Sequence, residues 1–142
     1  MKSFVKVILL ALAGAGAWVA TADQGSAMLI NQGDKIWDAF ASQGNLVLKG
    51  KYKESPENGM IEQTLEFEFQ HVAPGTRVTF NVDGTNIRTA TANAAGVARA
   101  RFFRLVAPGP DGRPTGPRVE TGSILTASWN GQTMTATFQP RP

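Results

Sequence analysis

Apolar and polar residues alternate with a period of two over most of the chain after residue 45, and turn residues interrupt the alternation at short intervals. This pattern is typical of antiparallel strands with one buried and one solvated face. One segment departs from it. In DKIWDAFASQG, Asp34 is a candidate N-cap, and Ile36, Trp37 and Phe40 would share one face of a short helix that Gly44 ends.

Two hairpins are predicted in the middle of the chain. In LEFEFQHVAPGTRVTFNV, a type II turn at Pro74-Gly75 would place Phe69 opposite Phe80 and direct His71 to the apolar face. In NIRTATANAAGVARARF, a turn closed by Gly96 would join two further strands. Alternation along that second hairpin sends three arginines together to its outer face: Arg88, Arg99 and Arg101.

The strongest hairpin signal is Asn130-Gly131 in ILTASWNGQTMTATF, which predicts Ala127 opposite Met134. Upstream, NLVLKGKYK predicts a strand whose return through ESPENG would set Lys51 across from Glu62. Strands of this kind predict an all-β domain of about seven strands, arranged as an antiparallel two-sheet, Ig-like sandwich after a short N-terminal helix.

The N-terminal segment MKSFVKVILLALAGAGAWVATA has the order of a secretory signal peptide. Lys2 and Lys6 precede an apolar run, and small residues around Ala22 predict cleavage after that residue. The apolar run is shorter than the roughly 20 residues of a membrane span, so we expect no transmembrane segment after cleavage. The predicted divisions are a signal peptide (1–22), an N-terminal segment with the short helix (23–45) and a β-sandwich domain (46–139).

Cleavage would change how the charge of the chain is interpreted. The full chain has a formal net charge of +3, but without the two signal-peptide lysines 12 basic residues face 11 acidic ones, a net charge of +1. A near-neutral domain argues against nucleic acid as the partner, because nucleic-acid-binding domains are usually strongly basic. The absence of cysteine excludes disulfides, thiolate metal ligands and a lipidated N-terminal cysteine.

The sequence contains no recognisable catalytic or metal-binding motif. His71 is the only histidine, no serine lies in a G-x-S-x-G motif, and NVDGTN lacks the ligand spacing of a calcium loop. Glu66 and Glu68 share a strand face, but a glycosidase needs its two carboxylates on either side of a cleft. We therefore expect no catalytic residues, no metal and no cofactor.

Residues 73–84, APGTRVTFNVDG, and residues 89–102, TATANAAGVARARF, resemble strand-turn-strand patterns of small secreted bacterial Ig-like modules. The resemblance rests on turn residues and covers about 30 residues. It implies a non-catalytic adhesive, structural or accessory module. It transfers no functional residue.

Three surfaces are candidates for binding. One is the row of hydroxyl side chains on the outer face of the third hairpin, whose alternative is the ordinary preference of threonine for outward strand positions. Arg88, Arg99 and Arg101, with Phe103 on the same face, could bind an anion and stack on a ring, although Glu66 and Glu68 are alternative partners for the arginines. The Pro- and Gly-rich loop APGPDGRPTGPR adds Arg113 and Arg118 as candidates, the alternative being a simple crossover.

The sequence thus predicts a secreted or periplasmic, non-catalytic module that acts in binding, adhesion or structural assembly, with a protein or glycan as partner. The alternative is a polyanion-binding protein that uses the arginine face, and a small hydrolase comes third.

Overall fold

The structure, a computed structural model, describes residues 33–142, and these residues form β-strands and no helix. The strands are β1 (Lys35–Gln43), β2 (Leu46–Glu57), β3 (Met60–Gln70), β4 (Arg77–Val82), β5 (Thr85–Thr91), β6 (Val97–Val106), β7 (Ile124–Trp129) and β8 (Gln132–Pro140). The all-β prediction is confirmed, with eight strands in this part of the chain.

All eight strands belong to one antiparallel sheet, in the order β5-β4-β7-β8-β1-β2-β3-β6. The sheet curls into a nearly closed, barrel-like shape, so that its two edge strands, β5 and β6, approach each other. Arg88 Nε of β5 donates to the Arg101 carbonyl of β6 at 3.3 Å across this junction, which we call the seam. Two clearly separate sheets, as predicted, are not seen, because β1 pairs with both β2 and β8 and so joins the halves.

The predicted N-terminal helix is wrong, since its residues form β1. Trp37 and Ala39 are buried, whereas Asp38 and Phe40 face outward, which is the period-two pattern of a strand. Ladders with β2 and β8 satisfy the backbone on both sides of β1. This tertiary pairing outweighs the helical spacing of the aromatic residues.

The hairpin between β7 and β8 is confirmed, including its register. Ala127 pairs with Met134 and Leu125 with Ala136. Asn130-Gly131 has positive φ at both residues, 46° and 75°, as a two-residue type I′ turn requires.

The hairpin between β2 and β3 forms, but its predicted register is wrong. Lys51 pairs with Glu66 instead of Glu62. The reason is that β2 continues through Pro56, and the chain reverses only at the two-residue turn Asn58-Gly59, where φ is again positive.

The two middle hairpins are wrong as strand pairs. The turn at Pro74-Gly75 is formed, with a hydrogen bond from the Thr76 amide to the Ala73 carbonyl, but β3 pairs with β2 and β6 while β4 pairs with β5 and β7. Likewise β5 and β6 lie at opposite ends of the strand order. Residues 71–76 and 92–96 are therefore connections between strands that are not hydrogen-bonded neighbours in the sheet.

The inward faces of β3, β4 and β6 were nevertheless predicted correctly, because alternation does not depend on the pairing partner. In β5 the predicted face is wrong, because a bulge sets Arg88, predicted to face outward, opposite the buried Phe80. Phe67 and Phe80, from unpaired strands, stack in the interior with ring centroids 5.1 Å apart. Fully buried aromatic side chains stabilise a small domain by about 1.5–3 kcal/mol each. Every strand except β5 contributes buried apolar residues to the core, and Ile87 and Ala90 of β5 are only partly buried.

Candidate functional site

The predicted arginines Arg99 and Arg101 lie on the outer face of β6, where carboxylates of β3 face them. Arg99 Nη2 lies 2.7 Å from Glu68 Oε2, and Arg101 Nε lies 3.7 Å from Glu66 Oε2. The ladder between β3 and β6 places each arginine directly opposite its glutamate. These two arginines therefore form cross-strand ion pairs with glutamates, which stabilise the pairing of β3 with β6.

These pairs belong to two rows of side chains that cross four strands. The ladders of β1, β2, β3 and β6 align the first row as Phe40, Lys49, Glu68 and Arg99, and the second row as Asp38, Lys51, Glu66 and Arg101. Charge alternates in sign across β2, β3 and β6 in the first row, which begins with the uncharged Phe40, and across all four strands in the second row. Hydrogen-bond donors and acceptors therefore alternate along both rows.

A groove of about 600 Å³ lies between the two rows. Its floor is the intervening row of the ladder: Ala39, Gly50, Phe67 and Ala100. The aliphatic stems of the charged residues form its walls, and we call it the ladder groove. It crosses the strands and opens on the outer face of the sheet.

Gly50 explains why the sheet dips at this point. A Cβ atom at Gly50 would lie 2.7 Å from Leu125 Cδ2 and 3.0 Å from Phe138 Cζ, which pack from the opposite wall of the interior. Only glycine allows the backbone of β2 to approach those side chains so closely. The inward approach of β2 lowers the floor of the groove.

Phe40 stands at one end of the ladder groove and is 62% exposed. The helical spacing of Ile36, Trp37 and Phe40 hides this position, whereas period-two alternation in KIWDAF places Phe40 on the outer face. Phe103, the predicted aromatic residue, is 51% exposed on the same outer face but does not line the groove.

Arg88, the third predicted arginine, contacts the Arg101 backbone at the seam but does not line the ladder groove with Arg99 and Arg101. Phe80 pairs with Arg88 and Asn81 with Asn86, so Ile87 is the extra residue of a β-bulge. The Arg88 guanidinium lies over the Phe102 ring, 5.3 Å from its centroid, at the seam. The structure therefore does not bring the three predicted arginines together.

The predicted loop arginine Arg113 holds the loop that follows β6 against the end of the sheet. It contacts the buried carboxylate of Glu54 at 2.6 Å and Glu120 at 2.6 Å, and it stacks on Trp37 at 4.7 Å. Burial opposes the charge of Arg113, but hydrogen bonds to both carboxylates outweigh burial and raise its pKa above the usual range. Tyr52 donates to Glu54 at 2.7 Å and completes a buried polar network.

Arg118, the other loop candidate, is paired as well. It contacts Asp111 at 2.8 Å and Glu120 at 2.6 Å, within its own loop. Pro114 is fully buried, and Pro108 and Pro114 form an isolated bridge. The loop is thus a packed cap over one end of the sheet.

A second cavity, of about 310 Å³, lies between β5 and β6 at the seam and is partly open to solvent; we call it the seam cavity. Its apolar lining includes residues from four strands and one loop: Leu65, Val82, Ile87, Phe102 and Val119. Its polar lining includes Tyr52, Gln63 and Arg104. Sequence analysis did not identify Arg104, although alternation in VARARFFRL places it on the inward face with Phe102.

Groups with potential for catalysis are sparse in residues 33–142. His71 is exposed and has a φ of 71°, so the prediction that it faces the apolar side is wrong; the cause is that β3 ends at Gln70 and the chain turns away. The described residues contain no group of three or more His, Asp or Glu side chains that could hold a metal ion.

The predicted signal peptide lies outside the described residues. Within residues 33–142, no helix is long and apolar enough to cross a membrane. No protein-family model matches this chain, and no curated protein matches it either.

Proposed function

We propose that this protein is an exported, non-catalytic binding module that takes a neutral glycan in the ladder groove. The observation that carries the proposal is the exposed ring of Phe40 beside two rows of alternating donors and acceptors. The signal-peptide pattern of residues 1–22 and the resemblance of residues 73–102 to secreted Ig-like modules support export and a non-catalytic role.

A glycan fits the chemistry of the groove. Sugar hydroxyls both donate and accept hydrogen bonds, so they match rows in which lysine, glutamate and arginine alternate. The apolar face of a sugar ring can stack on an exposed aromatic ring such as Phe40. The direction of the groove, across four strands, suits a linear chain of several sugars.

A polyanion fits less well, because it would meet Glu66 and Glu68 in the middle of the rows. Both glutamates already face Arg101 and Arg99, so an anion would compete with an existing carboxylate for each arginine. The near balance of charge along the rows thus favours a neutral ligand over the polyanion alternative.

The test is a titration of the purified protein with cellohexaose, maltohexaose and chitohexaose, with heparin as the polyanion probe. We expect one of the neutral oligosaccharides to bind and Phe40→Ala to weaken binding roughly tenfold, since stacking and burial of an aromatic ring are worth about 1.4 kcal/mol or more. Heparin should be released at about 150 mM salt.

Phe103→Ala is the matched control, because Phe103 is a similarly exposed aromatic residue outside the groove. It should leave glycan affinity unchanged. The proposal is wrong if none of the three oligosaccharides binds, if heparin binds tightly above that salt concentration, or if the two phenylalanine variants lose affinity equally.

A further inference from the structure

The seam cavity differs from the ladder groove in both position and chemistry. It is partly open to solvent at Asp83 and Thr85, its walls are mainly apolar, and its volume of about 310 Å³ is at the lower end of the range for small-molecule sites. It lies where β5 and β6 meet without a backbone ladder, so the seam offers an entry that the rest of the sheet does not.

The arginines of this protein differ in whether a carboxylate lies next to them. Within residues 33–142, no carboxylate lies within 4.0 Å of Arg104 or Arg88, in contrast to Arg99, Arg101, Arg113 and Arg118. Arg104 is half-buried and lines the cavity. Arg88 lies over Phe102, whose ring is part of the cavity wall.

The hydrogen bonds of Arg104 orient it without neutralising it. Its Nε donates to Gln63 Oε1, and its Nη2 donates to the carbonyls of Thr115 and Pro117. These partners are uncharged. A half-buried guanidinium held by neutral acceptors keeps its full positive charge next to an apolar space, where a ligand anion would interact with it strongly.

We propose that the seam cavity binds a small anionic amphiphile, an apolar chain that carries one carboxylate, with Arg104 as the partner of the carboxylate. The chain would occupy the space between Leu65, Ile87 and Phe102. The carboxylate would lie at the polar end, beside Gln63 and Arg104. Asp83, the acidic residue of the lining, is exposed and already accepts a hydrogen bond from the Ile124 amide.

The experiment compares decanoate with decanol, which share a chain but differ in charge, by calorimetric titration of the purified protein. We expect decanoate to bind and decanol to bind roughly tenfold more weakly, because a charge-assisted hydrogen bond is worth about 1.5–3 kcal/mol. Arg104→Gln should remove the preference for decanoate, and Arg104→Lys should retain part of it. Ile87→Trp should fill the cavity and abolish binding of both probes.

Arg99→Gln is the matched control, since it removes an arginine from the same strand that is paired on the outer face. It should leave decanoate affinity unchanged. Thermal unfolding of each variant shows whether it is folded, and Ile87→Trp and Arg104→Lys keep the test valid if Arg104→Gln loosens the loop.

Equal affinity for the two probes, no binding of decanoate, or an undiminished preference in Arg104→Gln would overturn the proposal. Oligosaccharide binding through Phe40 is measured separately, so either proposal can fail alone.

Discussion

Gly50 shows how one residue connects the interior to the outer surface. Its backbone lies against Leu125 and Phe138, and this close approach lowers the floor of the ladder groove. A side chain here would push β2 outward or displace the two core residues. The glycine is thus a condition both for the packing of the core and for the depth of the groove.

We predict that Gly50→Val destabilises the protein by about 1–3 kcal/mol, the usual cost of overpacking a close-packed core. Chemical denaturation of the variant measures this change. In the Gly50→Val background, Leu125→Ala should cost less than it does alone, because the smaller residue makes room for the added side chain.

Thr135→Val is the control, because it introduces a valine into a strand at an exposed position of β8 where no core residue is in the way. Its effect should stay within about 0.5 kcal/mol. Additive costs of Gly50→Val and Leu125→Ala would contradict the contact between the two positions.

At the scale of strands, a turn signal in the sequence predicts where the chain reverses, but not reliably which strands pair. Asn130-Gly131 fixes both the turn and the register of β7 and β8, because the turn type leaves one alignment. The turn at Pro74-Gly75 is equally well formed, yet its flanking strands separate. A turn reverses the chain, but only competition among all the strand edges decides which strands pair.

The same limit applies to the candidate site: the sequence predicts which face a side chain lies on, but not the contacts that depend on strand pairing. Alternation correctly placed Arg99 and Arg101 outside, and it identified Glu66 and Glu68 as their alternative partners. It did not bring Lys49 and Lys51 to the same glutamates, because that contact depends on the register of β2 against β3. The seam cavity was not predictable, since it exists only where the two edge strands of the sheet meet.

The loop that caps the sheet should respond to acid. A hydrogen bond from Arg118 lowers the pKa of Asp111. Burial alone would raise the pKa of Glu120, but hydrogen bonds from Arg118 and Arg113 outweigh it and lower that pKa too. A carboxylate whose pKa is lower in the folded than in the unfolded state stabilises the fold while ionised, and this stabilisation is lost as the pH falls through the folded pKa.

We therefore expect the stabilisation by these two carboxylates to be complete above about pH 5.5, to decline as the pH falls below the ordinary pKa values of about 3.9 and 4.3, and to be lost once the pH has fallen through their lowered folded pKa values. Thermal unfolding of the wild type and of Arg118→Gln over this range tests the expectation. The difference in melting temperature should shrink as the pH falls. A difference that stays constant from neutral pH to pH 3 would contradict it.

At the scale of the whole molecule, the sheet is closed by side chains at the seam and by backbone ladders elsewhere. β8 has a hydrogen-bonded neighbour on each side, whereas β5 pairs only with β4. Because a strand with one free edge opens more readily, we predict faster hydrogen exchange in β5 than in β8. Mass spectrometry of exchanged peptides measures this, and equal protection of the two strands would indicate a fully closed barrel.

The pairing of β1 with β8 brings the first and last described strands of the chain together, since Trp37 lies opposite Pro140 and the Arg141 amide donates to the Ile36 carbonyl at 2.8 Å. Domains whose ends are adjacent tolerate circular permutation and insertion into a host loop. This protein is accordingly suited to circular permutation. A short linker could join residues 34 and 141, and the chain could be reopened at the Asn58-Gly59 turn without moving the ladder groove or the seam cavity.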